Sequence, residues 1–83
     1  MKISIVIPCF NEANTIEYIV QAVLSTPLTN REIIIVDDYS TDSTREILQT
    51  KIDGRVDKII YHDSNKGKGA ALRTGFSNVT GDV

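Results

Sequence analysis

Apolar residues fall along this chain in two rhythms. Residues 2–7, Lys-Ile-Ser-Ile-Val-Ile, are nearly continuous in β-branched side chains. They predict a buried strand closed by Pro8, because proline has no N–H for a ladder. Ile16, Ile19, Val20, Val23 and Leu24 then recur at helical spacing, behind Asn14 as N-cap with Glu17 three residues on. Pro27 and the pair Thr29-Asn30 end that helix. Residues 32–36 predict a second strand whose last four residues are all aliphatic. A second helix over roughly residues 43–50, capped by Asp42 or a neighbouring hydroxyl, buries Ile47 and Leu48. Asp53-Gly54 marks a turn and residues 56–62 a third strand. A third helix over roughly residues 68–78 has Leu72, Phe76 and Val79 as its apolar face, with Ala71 and Gly75 letting it approach a sheet closely. Thr80-Gly81 breaks it, and Asp82-Val83 reads as the first step of another strand.

Strand and helix alternate throughout. The predicted fold class is therefore α/β, a Rossmann-like parallel sheet with right-handed crossovers. Parallel strands bring the loops that follow them, residues 8–13, 37–42 and 62–67, to one edge of the sheet. Ligands bind at such carboxyl ends in open α/β sheets. The candidate site is that edge.

Composition narrows the picture. Eighty-three residues make one small domain, 41% hydrophobic and 24% charged, with a net charge of −2 and no long run of either sign. Nothing in this balance marks a nucleic-acid binder. Cys9 is the one cysteine, so no intrachain disulfide forms. No leader-like segment and no run of membrane-span length occurs. A cytoplasmic location is expected.

The three loops carry complementary chemistry. The first offers Phe10, Asn11 and Glu12. The second offers Asp37, Asp38, Tyr39, Ser40 and Asp42, and the third Asn65, Lys66, Gly67, Lys68 and Gly69. An aromatic ring packs on a base, a carboxylate accepts from base or ribose donors, and a basic, glycine-containing helix start suits phosphate. Together they describe a nucleoside diphosphate site. The standard phosphate motifs are excluded: the dinucleotide fingerprint would need glycine at Leu72. A P-loop would need Ser or Thr at Gly69 and glycine at His62. Asp37 turned inward to bond backbone amides and Asp37 facing a ligand remain equal alternatives from the residues alone. Asp42 reads as a helix cap, His62 as a strand-end polar residue and Cys9 as a small buried side chain.

Three stretches carry a family resemblance: residues 4–12, Ser-Ile-Val-Ile-Pro-Cys-Phe-Asn-Glu; residues 35–42, Ile-Val-Asp-Asp-Tyr-Ser-Thr-Asp; and residues 65–75, Asn-Lys-Gly-Lys-Gly-Ala-Ala-Leu-Arg-Thr-Gly. In this order and spacing the chain resembles the start of a family 2 glycosyltransferase of the GT-A fold. It is most similar to the dolichol-phosphate mannosyltransferase-like group. The resemblance implies an inverting transfer from a UDP- or GDP-sugar, with a membrane polyprenyl phosphate as an acceptor of that subgroup. It implies that Pro8, Phe10, Asn11 and Glu12 line the donor site, that Asp38 contacts the base, and that Lys68 lies near the donor, while Asp37 is structural. It also implies a divalent metal, Mg or Mn, in the full-length enzyme, held by an Asp-x-Asp beyond Val83. On this reading residues 1–83 are the donor-binding part of a longer domain, contain no metal ligand and no catalytic residue, and transfer no sugar alone. Where the family commonly has glycine, this chain has Tyr39 and Ser43. The edge of the first strand, left unpaired, is expected to drive homo-oligomerisation by edge pairing or segment exchange. A non-catalytic α/β module for folding or assembly, with weak or no nucleotide binding, is the alternative.

Overall fold

The computed structural model describes residues 2–27 and 30–81. Thr29 as a helix stop and Asp82-Val83 as a strand start lie outside the described residues. The order is β1 (Ile3–Cys9), α1 (Ile16–Leu24), β2 (Arg31–Asp37), α2 (Thr44–Ile47) running on into a π-helical turn (Leu48–Ile52), β3 (Lys58–Tyr61) and α3 (Lys68–Ser77). The strands form a parallel sheet in the order β1-β2-β3. The Rossmann-like α/β architecture expected from the alternation is what the chain adopts.

β2 is central because it can be buried on both faces. Ile33 and Ile35 point into a core with Ile7, Cys9, Ile16, Val20, Leu48 and Ile52. Ile34 and Val36 point to the other side, against Ala71. Each aliphatic side chain so buried contributes roughly 1.5–3 kcal/mol. Period-two alternation carries on past Val36 and sends Asp37 to the first face and Asp38 to the second.

Four boundaries differ from expectation. β1 runs through Pro8 to Cys9. The Ile3 N–H bonds the Asn30 carbonyl on the β2 side, so even-numbered residues of β1 direct their backbone nitrogens to the outer edge, where proline costs no ladder bond. α1 starts at Ile16 with Thr15, not Asn14, at the cap. The Glu12 carbonyl takes the N–H groups of Thr15 (3.0 Å) and Ile16 (2.8 Å), which winds a turn ahead of the helix. β3 is shorter than residues 56–62; just ahead of it Asp57 brackets Ile33 of β2, its N–H donating to the Ile33 carbonyl at 3.0 Å and its carboxylate accepting the Ile33 N–H at 2.7 Å. The second helix widens after Ile47, and the Asp53 N–H reaches back five residues to the Leu48 carbonyl at 2.8 Å. The wider turn leaves Leu48 and Ile52 both buried.

The apolar face expected for α3 is rotated by one position. Ala71 and Gly75 are its buried residues. Leu72 is half-buried and Phe76 is 59% exposed. Small residues win the sheet side because β1 is close: a Cβ on Gly75 would collide with the Val6 side chain.

The segment after α3 is tied to the amino-terminal end of the sheet by Glu32. Its carboxylate accepts from the Thr80 N–H (2.8 Å), the Thr80 hydroxyl (2.7 Å) and the Ser4 hydroxyl (2.9 Å). Ser4 Oγ in turn accepts the Gly81 N–H at 3.1 Å. The Thr80 bonds, N–H first, outweigh burial and hold the Glu32 carboxyl at about 2, against an ordinary 4.5. A carboxyl lowered by folding stabilises fully above its unfolded pKa and loses that contribution as pH falls through its folded one. The native chain should therefore lose stability between pH 4.5 and about 2, and Glu32→Gln should flatten that part of the profile in acid titrations followed by circular dichroism. An identical acid profile in the variant would show that the clasp contributes nothing.

Candidate functional site

The three loops at the carboxyl edge meet through side chains of the second. Asp37 is 0% exposed. It accepts from the Ser40 N–H (3.0 Å), the Ser40 hydroxyl (2.5 Å), the Cys9 thiol (3.6 Å) and Arg45 Nε (2.6 Å). Arg45 also donates to the His62 carbonyl, so one guanidinium joins the ends of β2 and β3. It lies 5.3 Å from the ring centroids of both Tyr39 and Tyr61, close enough for cation–π attraction. This gives the Tyr39 ring a packing role at a position where the resemblance commonly implies glycine. Tyr39 has φ +62°, a conformation that costs a non-glycine residue roughly 1–2 kcal/mol, and the stacked Arg45 offsets it. Asp37 is thus the structural acid that the resemblance implied.

Asp38, on the opposite face, holds the third loop. Oδ1 accepts from His62 Nδ1 (2.9 Å) and the Lys66 N–H (2.8 Å), and Oδ2 from the Gly67 N–H (2.8 Å). A carboxylate only accepts, so His62 carries a proton on Nδ1, and its Nε2 shares a hydrogen bond of 2.8 Å with the Thr74 hydroxyl. Burial opposes the ionised form of Asp38, but the bonds from His62 and the two loop N–H groups prevail and hold its carboxyl below the ordinary range. Gly67, at φ +92°, caps α3. That left-handed conformation suits glycine alone and turns its N–H onto Asp38.

Asn11 belongs to this scaffold. Its Oδ1 accepts the N–H groups of Thr41 (2.8 Å) and Asp42 (3.2 Å), and its own N–H meets Ser40 Oγ at 2.9 Å. It pins the first loop to the second and does not line the cleft described next. Asp42 caps α2 by accepting the Thr44 N–H (2.9 Å) and hydroxyl (2.5 Å). Those bonds, the hydroxyl first, lower its carboxyl against burial.

Between the first loop and α3 lies an open cleft of about 350 Å³, lined by Pro8, Phe10, Glu12, Asp38, Gly67 and Lys68, with Cys9, Asn65 and Ala71 at its base and rim. Five of the six residues expected at a donor site, all but Asn11, therefore gather here. Phe10 is 43% exposed and presents an aromatic surface. Lys68 has no hydrogen-bond or ion-pair partner among the described residues, and it opens α3 beside unpaired helix N–H groups. Glu12 is half-buried, its Oε2 taking the Thr15 hydroxyl at 2.6 Å. Burial, followed by the Asp37 charge and bond, pushes the Cys9 thiol up, so Cys9 is an inert wall. Among the described residues no three His, Cys, Asp or Glu side chains gather as a cation site. Asp37, Asp38 and Asp42 are committed to N–H and O–H donors, so these residues do not fit a divalent metal by themselves. Arg45 was missed by the sequence reading. No motif marks it, and a buried acid eight residues earlier is its one signal.

Comparisons with known proteins bear on the family and the fold. The model of the family described as Glycosyl transferase family 2 matches residues 4–83. The chain is 34% identical to the dolichol-phosphate mannosyltransferase of Pyrococcus furiosus, over 100% of this chain and 24% of that protein. Among solved structures it resembles a mannosyltransferase of Pyrobaculum calidifontis, in complex with GDP-Man and Mn2+, with a TM-score of 0.84 and 24% identity over 95% of this chain and 24% of that one. It also resembles S. aureus TarS 1-349 in complex with UDP, with a TM-score of 0.78 and 27% identity over 98% of this chain and 25% of that one. The chain belongs to glycosyl transferase family 2. It spans about a third or less of the length of the curated relatives it matches.

Removing Arg45 should leave Asp37 as a buried charge without its cation. Breaking a fully buried pair costs roughly 3–5 kcal/mol, but 30% of the Arg45 side chain is exposed, so Arg45→Ala should cost about 2 kcal/mol. Arg45→Lys should recover less than half of that, because lysine cannot bond Asp37 and the His62 carbonyl in one plane while stacked. Urea unfolding measures both. A lysine variant as stable as the parent would refute the fork.

Proposed function

We propose that this chain binds the nucleotide-diphospho-sugar donor of an inverting glycosyltransferase, as the donor-binding part of a GT-A domain. The observation that carries this reading is the cleft itself, where an ionised Asp38 and an exposed Phe10 share the lining with Lys68, which has no partner among the described residues, at the start of α3. A base and ribose find an aromatic surface and an acceptor on one side. A diphosphate finds a cation and helix N–H groups on the other. The related TarS structure contains UDP, which supports a nucleotide in the corresponding place.

Binding, not transfer, is the step these residues perform. In the whole enzyme we place a divalent metal outside them. The likeness to the dolichol-phosphate mannosyltransferase supports a polyprenyl phosphate as acceptor, used at the cytoplasmic face of a membrane. No helix among the described residues is long and apolar enough to cross one. β1 is an outer strand of the described sheet, and an outer strand supports self-association of the chain at high concentration by edge pairing or segment exchange.

Calorimetric titration with UDP- and GDP-sugars should give saturable binding. Lys68→Ala, at an exposed position, should weaken it about fivefold and reduce its dependence on salt. Absence of heat with millimolar ligand would overturn the reading in favour of a non-catalytic module.

A further inference from the structure

His62 joins three elements at the carboxyl edge. Its backbone is fixed on both sides: the N–H donates to the Asp37 carbonyl at 2.8 Å, and the carbonyl accepts from Arg45. Its buried ring then reaches out in two directions. Nδ1 donates to Asp38 at 2.9 Å, and Nε2 shares a hydrogen bond of 2.8 Å with the hydroxyl of Thr74, in the second turn of α3.

Carboxylate, imidazole and hydroxyl in this order can activate a nucleophile. Here neither His62 nor Thr74 lines the cleft, so the hydroxyl has no ligand space before it. The bonds act as a brace. α3 meets the sheet through Ala71 and Gly75, and the Val6 side chain fills the space that a Cβ on Gly75 would need. That contact sets how near the helix comes. Small residues interlock little, so they fix its position along the sheet poorly. A hydrogen bond is directional, and Thr74 stands between Ala71 and Gly75 in the chain.

The other end of α3 forms one wall of the cleft. Gly67 caps the helix, and the Lys66 and Gly67 N–H groups bond the carboxylate that His62 holds, each at 2.8 Å. Lys68 follows in the lining. We propose that Thr74 and His62 are positioning residues for the cleft: their hydrogen bond pins α3 along the sheet and thereby sets the third loop and Lys68 against the first loop. The proposal rests on the nucleotide reading above and goes beyond it by naming two residues outside the cleft that control its shape.

The test compares the parent chain with Thr74→Val, which removes the hydroxyl at nearly constant shape, and Thr74→Ser, which keeps it. Amide hydrogen exchange reads the third loop without any ligand. Thr74→Val should quicken exchange at Lys66 and Gly67 about fivefold, the worth of one neutral hydrogen bond, and leave Ile34 and Ile35 in β2 unchanged. Thr74→Ser should match the parent. In calorimetric titration with UDP, Thr74→Val should weaken binding by a similar factor and Thr74→Ser should restore it. Equal acceleration at Ile34 and Ile35 would overturn the proposal, because the hydroxyl would then serve overall stability alone. Unchanged exchange at Lys66 and Gly67, a serine variant that behaves as the valine one, or unchanged UDP affinity would overturn it as well. A parent chain that binds no UDP at millimolar concentration overturns the nucleotide reading instead, and the exchange measurement still decides whether the brace holds the loop.

Discussion

Everything at the functional edge of this protein depends on two adjacent carboxylates leaving β2 on opposite faces. The same alternation that sends Ile33 and Ile35 into one core and Ile34 and Val36 into the other sends Asp37 and Asp38 apart. Asp37 draws in the second loop and, through Arg45, the end of β3. Asp38 draws in the third loop and the start of α3. Without those donors each buried carboxylate would be intolerable, and without the carboxylates the loop N–H groups would have no partners. The cleft is the space this mutual satisfaction leaves open.

The division of labour follows from charge balance. On the Asp37 side a guanidinium supplies positive charge, with Tyr39 and Tyr61 packed near it. On the Asp38 side the donors are the His62 ring and two backbone amides, and the carboxylate, held below the ordinary range, lines the cleft. A negative wall repels phosphate and attracts base donors. Lys68 and the N-terminus of α3 do the opposite. On the function proposed above, these two walls would orient a nucleotide.

The fold was legible because β2 is so plainly a doubly buried strand and because polar loops follow each strand. The site was legible in outline because those loops must share an edge. The loop-pinning bonds of Asn11 were not legible, because its amide is equally suited to a ligand and to the Thr41 and Asp42 N–H groups, and only the fold supplies the latter. The close approach of Ala71 and Gly75 to the sheet was legible, but Phe76 was expected on the apolar face because hydrophobicity favours it, whereas the short distance to Val6 gives the sheet side to residues with almost no side chain. Arg45 was invisible because its partners are far apart in sequence: Asp37, a carbonyl at His62, and two tyrosines twenty-two residues apart (Tyr39 and Tyr61).

The central claim is that ligand enters between the first loop and the Asp38-held third loop, and nowhere else on the described surface. Amide chemical-shift mapping during titration with UDP tests it most directly. The account predicts that the largest shifts fall at Phe10, Asp38, Gly67 and Lys68, around the cleft, while Tyr18, Gln21 and Arg55, around a shallow groove beside α1, stay fixed. Shifts concentrated at Tyr18, Gln21 and Arg55, or none at the amides of Gly67 and Lys68 under saturating UDP, would contradict it.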